Sequence, residues 1–202
     1  MTTTLVSSLS YPEGLQQMEA ARAQQREQLF FFEHPDTITL GKSTKPEDLL
    51  LPEAELCTLG YHVARVERGG RATYHGPGQL VCYPVIKLKD STQIRSFVSA
   101  LAQILIEYLK TLSIEAHYDE ASPGLWVGEA KLAAFGLSVQ RGFTGHGFAL
   151  NVSCDLSRYR VIVPCGLRAP VTSIKALRGE APNLEEVAAA LFGRLSLLQT
   201  TR

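Results

Sequence analysis

The most regular pattern in this chain is a helical stripe. Over residues 91–112, Ile94, Phe97, Val98, Leu101, Leu105, Tyr108, Leu109 and Leu112 recur at the spacing that gathers them on one helix face. A face that continuous needs an apolar surface to lie on, and most of the remaining chain reads as short strands. Residues 29–33, 61–67, 79–88, 114–118, 125–127, 131–140 and 147–152 have strand character, residues 5–9 suit a first strand, and residues 37–41 suit a continuation of the sheet. Pro84 places its strand at an edge or at a bulge, because proline has no N–H to give to a ladder. Ser10 with Glu13 has the form of a capping box opening a helix to about residue 28, and Asn183 caps a last helix carrying Val187, Leu191, Leu195 and Leu198. Residues 46–59 suit one or two short helical turns. Strands outnumber helices and the helices are scattered, so the expected fold is α+β: one mixed, mostly antiparallel sheet with helices packed on it, over residues 1–202 as one domain.

With 202 residues, 45% of them hydrophobic, the chain can bury a substantial core. Lys+Arg and Asp+Glu stand at 20 each, so no net field draws it to nucleic acid or to an anionic membrane. The N-terminus has neither the basic region nor the apolar run of a signal peptide, and no segment is apolar for long enough to span a bilayer. The expectation is a cytoplasmic, soluble monomer. Cys57, Cys82, Cys154 and Cys165 show no C-x-x-C spacing and no histidine at zinc-ligand spacing, so neither a metal site nor a disulfide framework is expected.

Three segments carry candidate chemistry. Residues 68–80 are rich in glycine and include Arg68, Arg71, Thr73, Tyr74 and His75 between two apolar strands; they suit a ligand-binding loop, with a plain hairpin connection as the alternative. The P-loop pattern is absent. Cys165 stands between Pro164 and Gly166, a setting that can hold a thiol at a loop tip. Lys131 opens an apolar strand, and taken alone it reads as a solvated strand end. His75 and His146 each adjoin glycine and suit either a general base or a hydrogen-bonded structural role. Cys82, Cys154 and Trp126 read as packing.

Together these segments resemble the lipoyl(octanoyl) transferase family, within the biotin/lipoate protein ligase superfamily. The resemblance rests on Arg68-Gly69-Gly70, Thr73-Tyr74-His75-Gly76-Pro77-Gly78-Gln79-Leu80 and Tyr83-Pro84. It continues at Ala130-Lys131-Leu132-Ala133-Ala134-Phe135-Gly136, at His146-Gly147-Phe148-Ala149-Leu150-Asn151-Val152, and at Pro164-Cys165-Gly166 with Val171-Thr172-Ser173. It implies a biotin/lipoate protein ligase-like catalytic domain. It implies that Cys165 forms an acyl-thioester and that Lys131 lowers the thiol pKa. The implied substrate-binding residues are Arg68, Gly69, Gly70, Arg71, Ala72, Thr73, Tyr74 and His75, with Ala134, Phe135 and Gly136, and with Gly147, Phe148 and Ala149.

The activity so implied moves an octanoyl or lipoyl group from acyl carrier protein to a lysine of a lipoyl domain. Acceptors would be the lipoyl domains of 2-oxoacid dehydrogenases and the glycine cleavage H protein. No cofactor is expected: exchange of one thioester for another is nearly isoenergetic, and aminolysis to an amide is downhill. Ala134, Phe135, Phe148 and Ala149 would line an apolar tunnel. Backbone N–H groups near Gly136 or Gly166 would hold the oxyanion, and Lys131 or His75 would take the proton of the acceptor amine. Two alternatives stand beside this reading: an ATP-dependent lipoate or biotin ligase of the same superfamily, and a non-catalytic module that binds an acyl group or its carrier.

Overall fold

The computed structural model describes residues 6–164 and 169–199. Its larger sheet has seven strands in the order β1 (Ser7–Ser8), β2 (Gln28–Glu33), β6 (Gln79–Val85), β10 (Phe143–Asn151), β9 (Ala130–Gln140), β8 (Gly124–Val127), β7 (His117–Asp119). Every pair is antiparallel except β1 with β2. A second, three-stranded sheet has the order β4 (His62–Arg65), β3 (Thr37–Leu40), β5 (Ala72–His75). The mixed, mostly antiparallel α+β architecture is as the pattern predicts, but the strands divide between two sheets. A bend at Pro35 and Asp36 takes β3 out of the larger sheet, and β5 lies within the segment read as an uninterrupted glycine loop.

Strand periodicity assigns the cores. On β2, Leu29 and Phe31 face the main core, while Phe30 and Phe32 face a second core on the other side of the sheet. A strand buried on both faces reads as an unbroken apolar run, as residues 29–32 do. Helix α3 (Ile94–Thr111) lays Phe97, Leu101, Leu105 and Leu109 into the main core beside Val187, Leu191 and Leu195 of α5 (Leu184–Leu195). Helix α1 (Tyr11–Ala23) covers the opposite face with Tyr11, Met18 and Ala21. A third core joins Ile38, Leu40, Ala72 and Tyr74 of the small sheet to Leu56 of helix α2 (Glu53–Thr58) and to Tyr159 and Ile162. A short helix α4 (Ile174–Arg178), for which the sequence shows no stripe, follows the N-cap Ser173.

Three boundaries differ from expectation. Helix α1 ends at Ala23, five residues early: Gln25 turns to φ 51° and Arg26 N–H bonds Ala21 O at 2.9 Å, freeing Gln28 to open β2. Residues 113–116 close α3 instead of extending β7, with Ser113 at φ 59° and Ile114 N–H on Leu109 O at 3.0 Å. Pro84 lies in the central strand β6, not at an edge. The missing proline donor is accommodated by a gap in the β6–β10 ladder: regular pairing runs from Asn151↔Gln79 to Phe148↔Cys82, lapses opposite Pro84, and returns as a bridge at Phe143↔Lys87.

Core burial sets one expected outcome. Leu105→Ala, at a fully buried α3 position, should cost about 2–5 kcal/mol. Leu177→Ala, on the exposed side of α4, should change stability by no more than about 0.5 kcal/mol. Urea midpoints of the two variants, compared at constant slope, check the contrast.

Candidate functional site

The site begins where side chains are small. Antiparallel pairing puts Gly136 opposite Gly147 and Ala134 opposite Ala149, so four consecutive facing positions leave the sheet surface almost bare. The intervening pair, Phe135 and Phe148, belongs to the main core. Above the bare patch lies a narrow slot of about 40 Å³, bordered by Ala134 to Gly136, by His146 to Ala149, by Val81 and Tyr83 of β6, by Tyr11 of α1, and by Arg68, Gly70, Arg71, Thr73 and His75. Gly70, Arg71, Phe135 and Gly136 also border a wider cavity of about 750 Å³, which Gly69 joins and which opens between the start of α3 and residues 118–123. The three segments singled out for binding therefore converge on one place. Within them Ala72 and Tyr74 are the exceptions: strand alternation turns both into the third core, and Tyr74 donates its hydroxyl to Asp36 Oδ1 at 2.6 Å.

A buried network holds the slot wall. Arg68 donates Nε and Nη2 to Thr39 Oγ1 at 3.2 and 2.7 Å, and Nη2 also to Thr39 O at 2.7 Å. Thr39 Oγ1 lies 3.3 Å from His75 Nε2, and His75 Nδ1 lies 2.8 Å from Gln79 Oε1. Gln79 Nε2 donates to Asn151 Oδ1 at 2.9 Å, which orients the amide so that its oxygen accepts from His75. His75 is thus the Nδ1–H tautomer, assigned from its partners, and its Nε2 accepts the Thr39 hydroxyl. Arg71 is gripped by Asp48 at Oδ1 and, at 2.9 Å, at Oδ2; Asp48 is fully buried. The Asp48 carbonyl in turn accepts Val163 N–H at 2.8 Å.

Lys131 is not a solvated strand end: it is only 5% exposed. The cause is a register shift between β8 and β9. Leu125 pairs with Ala133 but Trp126 pairs with Lys131, leaving Leu132 as an extra, bulged residue. The bulge reverses the alternation and carries the Lys131 side chain to the Ala134 side, over Gly124. A Cβ at Gly124 would collide with Lys131 Cε and stand 2.6 Å from Ala133 O. Trp126, expected as plain core, lies with its ring centroid 5.1 Å from Lys131 Nζ, a cation–π distance. The Lys131 main chain is strapped on its other side, its N–H to Pro170 O at 2.8 Å and its carbonyl to Thr172 N–H at 2.9 Å. Cys165 itself, with Gly166, lies outside the described residues. Sequence reasoning did not find Gly124, Trp126 or Asp48, whose roles arise from pairing across the chain.

Two other cysteines are buried, and burial raises both thiols, Cys82 well above its usual value and Cys154 to about 12, so neither is a thiolate near neutrality. The histidines bordering the slot are pushed the other way. Burial, His34 and the Arg68 charge lower His75 to about 3; burial, Arg68 and Arg22 lower His146 to about 3. Neither histidine has the basicity of a general base near pH 7. Among the described residues no group of three His, Cys, Asp or Glu side chains is arranged to hold a metal ion.

These histidines link stability to pH. The unfolded chain binds a proton at each near pH 6.5, the folded chain only near 3. Between those values the unfolded state holds more protons, so stability is complete above about pH 7 and falls as pH drops. Going from pH 7 to pH 5 should remove on the order of 3 kcal/mol, read from urea unfolding at each pH. Imidazole NMR signals of His75 or His146 titrating near pH 6.5 in the folded protein would contradict this.

Comparison with known proteins places the chain in a family. A family model described as the lipoyl protein ligase A/B catalytic domain matches residues 8–196. An octanoyltransferase of Solibacter usitatus (strain Ellin6076) is 46% identical over 175 residues, covering 85% of this chain and 79% of that protein. An octanoyltransferase of Neisseria meningitidis serogroup B (strain ATCC BAA-335 / MC58) is 40% identical over 194 residues, 95% and 91% of the two chains. In three dimensions, the crystal structure of lipoate-protein ligase A bound with ATP superposes with a TM-score of 0.79 at 20% identity, covering 96% of this chain and 83% of that one, which establishes a shared fold. A model spanning nearly the whole chain and relatives at this identity settle the matter of kinship: the chain belongs to the lipoyl protein ligase A/B catalytic-domain family.

Proposed function

We infer that the protein is an octanoyltransferase, an acyltransferase that attaches an octanoyl group to a protein lysine in protein lipoylation, with residues 1–202 acting as one catalytic domain. The observation that carries the mechanism is the placement of Lys131. A bulge turns its ammonium to the slot side, and its main chain is bonded to Pro170 and Thr172. Cys165 is five residues before Pro170, which keeps it within about 17 Å of this strap by chain length alone. The segment before it is tied down independently by Val163 N–H on Asp48 O and by the bridge Leu49↔Ile162.

The steps follow from thiol and amine chemistry. The Lys131 ammonium stabilises the Cys165 thiolate in the resting site. The thiolate attacks the thioester carbonyl of octanoyl-acyl carrier protein. The tetrahedral intermediate expels the carrier thiolate, which receives the proton from Lys131. The octanoyl chain, now on Cys165, lies along the Ala134/Ala149 and Gly136/Gly147 floor. A lysine amine of a lipoyl domain then attacks, gives its proton to Lys131, and leaves as the amide while Cys165 departs as thiolate. Lys131 rather than His75 serves as the base, because His75 Nε2 is occupied by Thr39 and its basicity is suppressed. The acceptors are the lipoyl domains of 2-oxoacid dehydrogenases and the glycine cleavage H protein.

Incubation with octanoyl carrier protein should give an octanoyl adduct that peptide mapping places on Cys165, with no requirement for ATP. Cys165→Ala should abolish both adduct and transfer, and full activity in that variant would end this mechanism. Lys131→Met should lower kcat about 10²–10⁴-fold. Gly124→Ala, which displaces the Lys131 stem, should lower kcat at least roughly tenfold with a smaller effect on KM. Octanoate-dependent exchange of ATP with pyrophosphate would instead favour a ligase.

A further inference from the structure

Asp48 is an unexpected residue to find sealed in an interior. Its neighbours Pro46 and Glu47 are exposed, yet Asp48 is fully buried at the end of the single helical turn Pro46–Asp48. Aspartate is almost never fully buried unless it is paired. Arg71 grips both carboxylate oxygens, through Nη2 on Oδ1 and through Nε on Oδ2 at 2.9 Å. The Lys45 N–H adds a third bond, to Oδ2 at 2.9 Å, and closes the turn. Two more charged groups stand on the exposed side: Glu47 Oε1 is 3.7 Å from Arg71 Nη2, and Lys45 Nζ is 4.0 Å from Glu47 Oε1. A buried ion pair is a poor source of stability, because desolvation offsets its attraction. Its best-attested use is to fix one arrangement over others, which raises the question of what Asp48 keeps in register.

The main chain supplies the answer. Residues 48–50 are stitched to the segment that leads to Cys165. Asp48 O accepts Val163 N–H at 2.8 Å, Leu49 bridges to Ile162, and Leu50 N–H reaches Val161 O at 3.0 Å. Ile162 is buried in the third core, with Leu49 and Val161 packed against that core. Val163 stands two residues before Cys165, no more than about 7 Å of chain. Past Cys165, the chain is held again where Pro170 O accepts the Lys131 N–H. Arg71, at the other end of the ion pair, borders both the slot and the wider cavity. A single carboxylate thus joins the slot wall to the upstream anchor of the nucleophile.

We propose that Asp48 is a positioning residue for the transfer reaction: its carboxylate fixes the Pro46–Asp48 turn against Arg71, and its carbonyl thereby holds the Cys165 segment in register with the slot. The proposal rests on the pairing of Cys165 with Lys131 in the transferase mechanism. Asp48 touches no substrate and no reacting atom; it acts through Val163. Replacing its side chain leaves the main-chain bond to Val163 in being but removes what sets its place. The Cys165 sulfur is then held less closely to Lys131, and a misplacement of about 1 Å can cost on the order of 10²-fold in rate.

The test is the pH dependence of Cys165 alkylation by iodoacetamide in the full-length enzyme. Peptide mapping at Cys165 keeps the exposed Cys57 from contributing. Charge and position predict opposite signs. Removing a carboxylate and releasing the Arg71 charge both favour a nearby anion, so charge alone lowers the thiol midpoint. Displacement from the Lys131 ammonium raises it. Asp48→Asn should raise the midpoint by about one pH unit and lower kcat roughly tenfold, with a smaller change in KM. Arg71→Lys keeps the positive charge but loses the two-pronged grip. It should raise the midpoint by less, and it decides the matter if Asp48→Asn does not fold. Leu105→Ala, destabilising in the main core, should leave the midpoint at its wild-type value, which separates positioning from general loosening. A midpoint unchanged or lowered in both Asp48→Asn and Arg71→Lys overturns the proposal while leaving the transferase reading intact. Absence of an octanoyl adduct on wild-type Cys165 overturns both.

Discussion

The Gln79 side chain ties the two sheets of this protein together. It sits at the start of β6 in the larger sheet, accepts from His75 of the small sheet, and donates to Asn151 at the end of β10. Asn151 passes the connection on, giving its Nδ2–H to Thr172 O, and Thr172 is hydrogen-bonded to Lys131. One buried amide is thus in register with the slot wall, the slot floor and the segment that follows Cys165. Polar groups this deep are costly when partly satisfied and rigidifying when fully satisfied. The slot wall stays in place over the sheet because each link in this chain has its partner.

The slot floor shows the opposite principle, structure by omission. Sheets are normally covered by side chains from both strands, and here two adjacent pairs contribute only hydrogens or methyl groups. The wall above is polar and carries the buried charge of Arg68, compensated by the Thr39 oxygens and the Gly69 carbonyl. Burial first, then that charge, with Arg22 acting on His146, keeps the nearby histidines neutral, so the slot presents uncharged imidazoles. A narrow space with a floor of bare backbone and methyl groups suits an acyl chain. A charged tail would have to give up its hydration in that narrow space.

Much of this was legible in the residues. The stripe of α3 was visible because a helix that packs on one side must repeat its apolar residues every three or four positions, and Ile94 to Leu109 do so. The strands around Phe30, Val81, Ala133 and Phe148 were visible as apolar runs, and the capping pairs Ser10/Glu13 and Asn183/Glu186 as local hydrogen-bonding patterns that form as read. Arg68 to His75, Ala134 to Gly136 and Gly147 to Ala149 were singled out together by the family resemblance, not by any one motif, and they converge on the slot. Less visible was which members of a run face the slot. Thr73 and His75 border the slot while Ala72 and Tyr74 do not, and only the partner strand fixes that choice.

By itself, the sequence determined what depends on neighbours a few residues apart: helix and strand types, caps and the glycine-rich segment. The tertiary structure alone decided what depends on register between distant strands. A single unpaired residue, Leu132, leaves no periodic signal, yet it turns Lys131 from a surface lysine into a buried cation above Gly124 and Trp126. Pro84 in a central strand looked misplaced until the ladder gap opposite His146 explained it. Pairing between residues tens of positions apart is set by the whole core at once, and no local window contains that information.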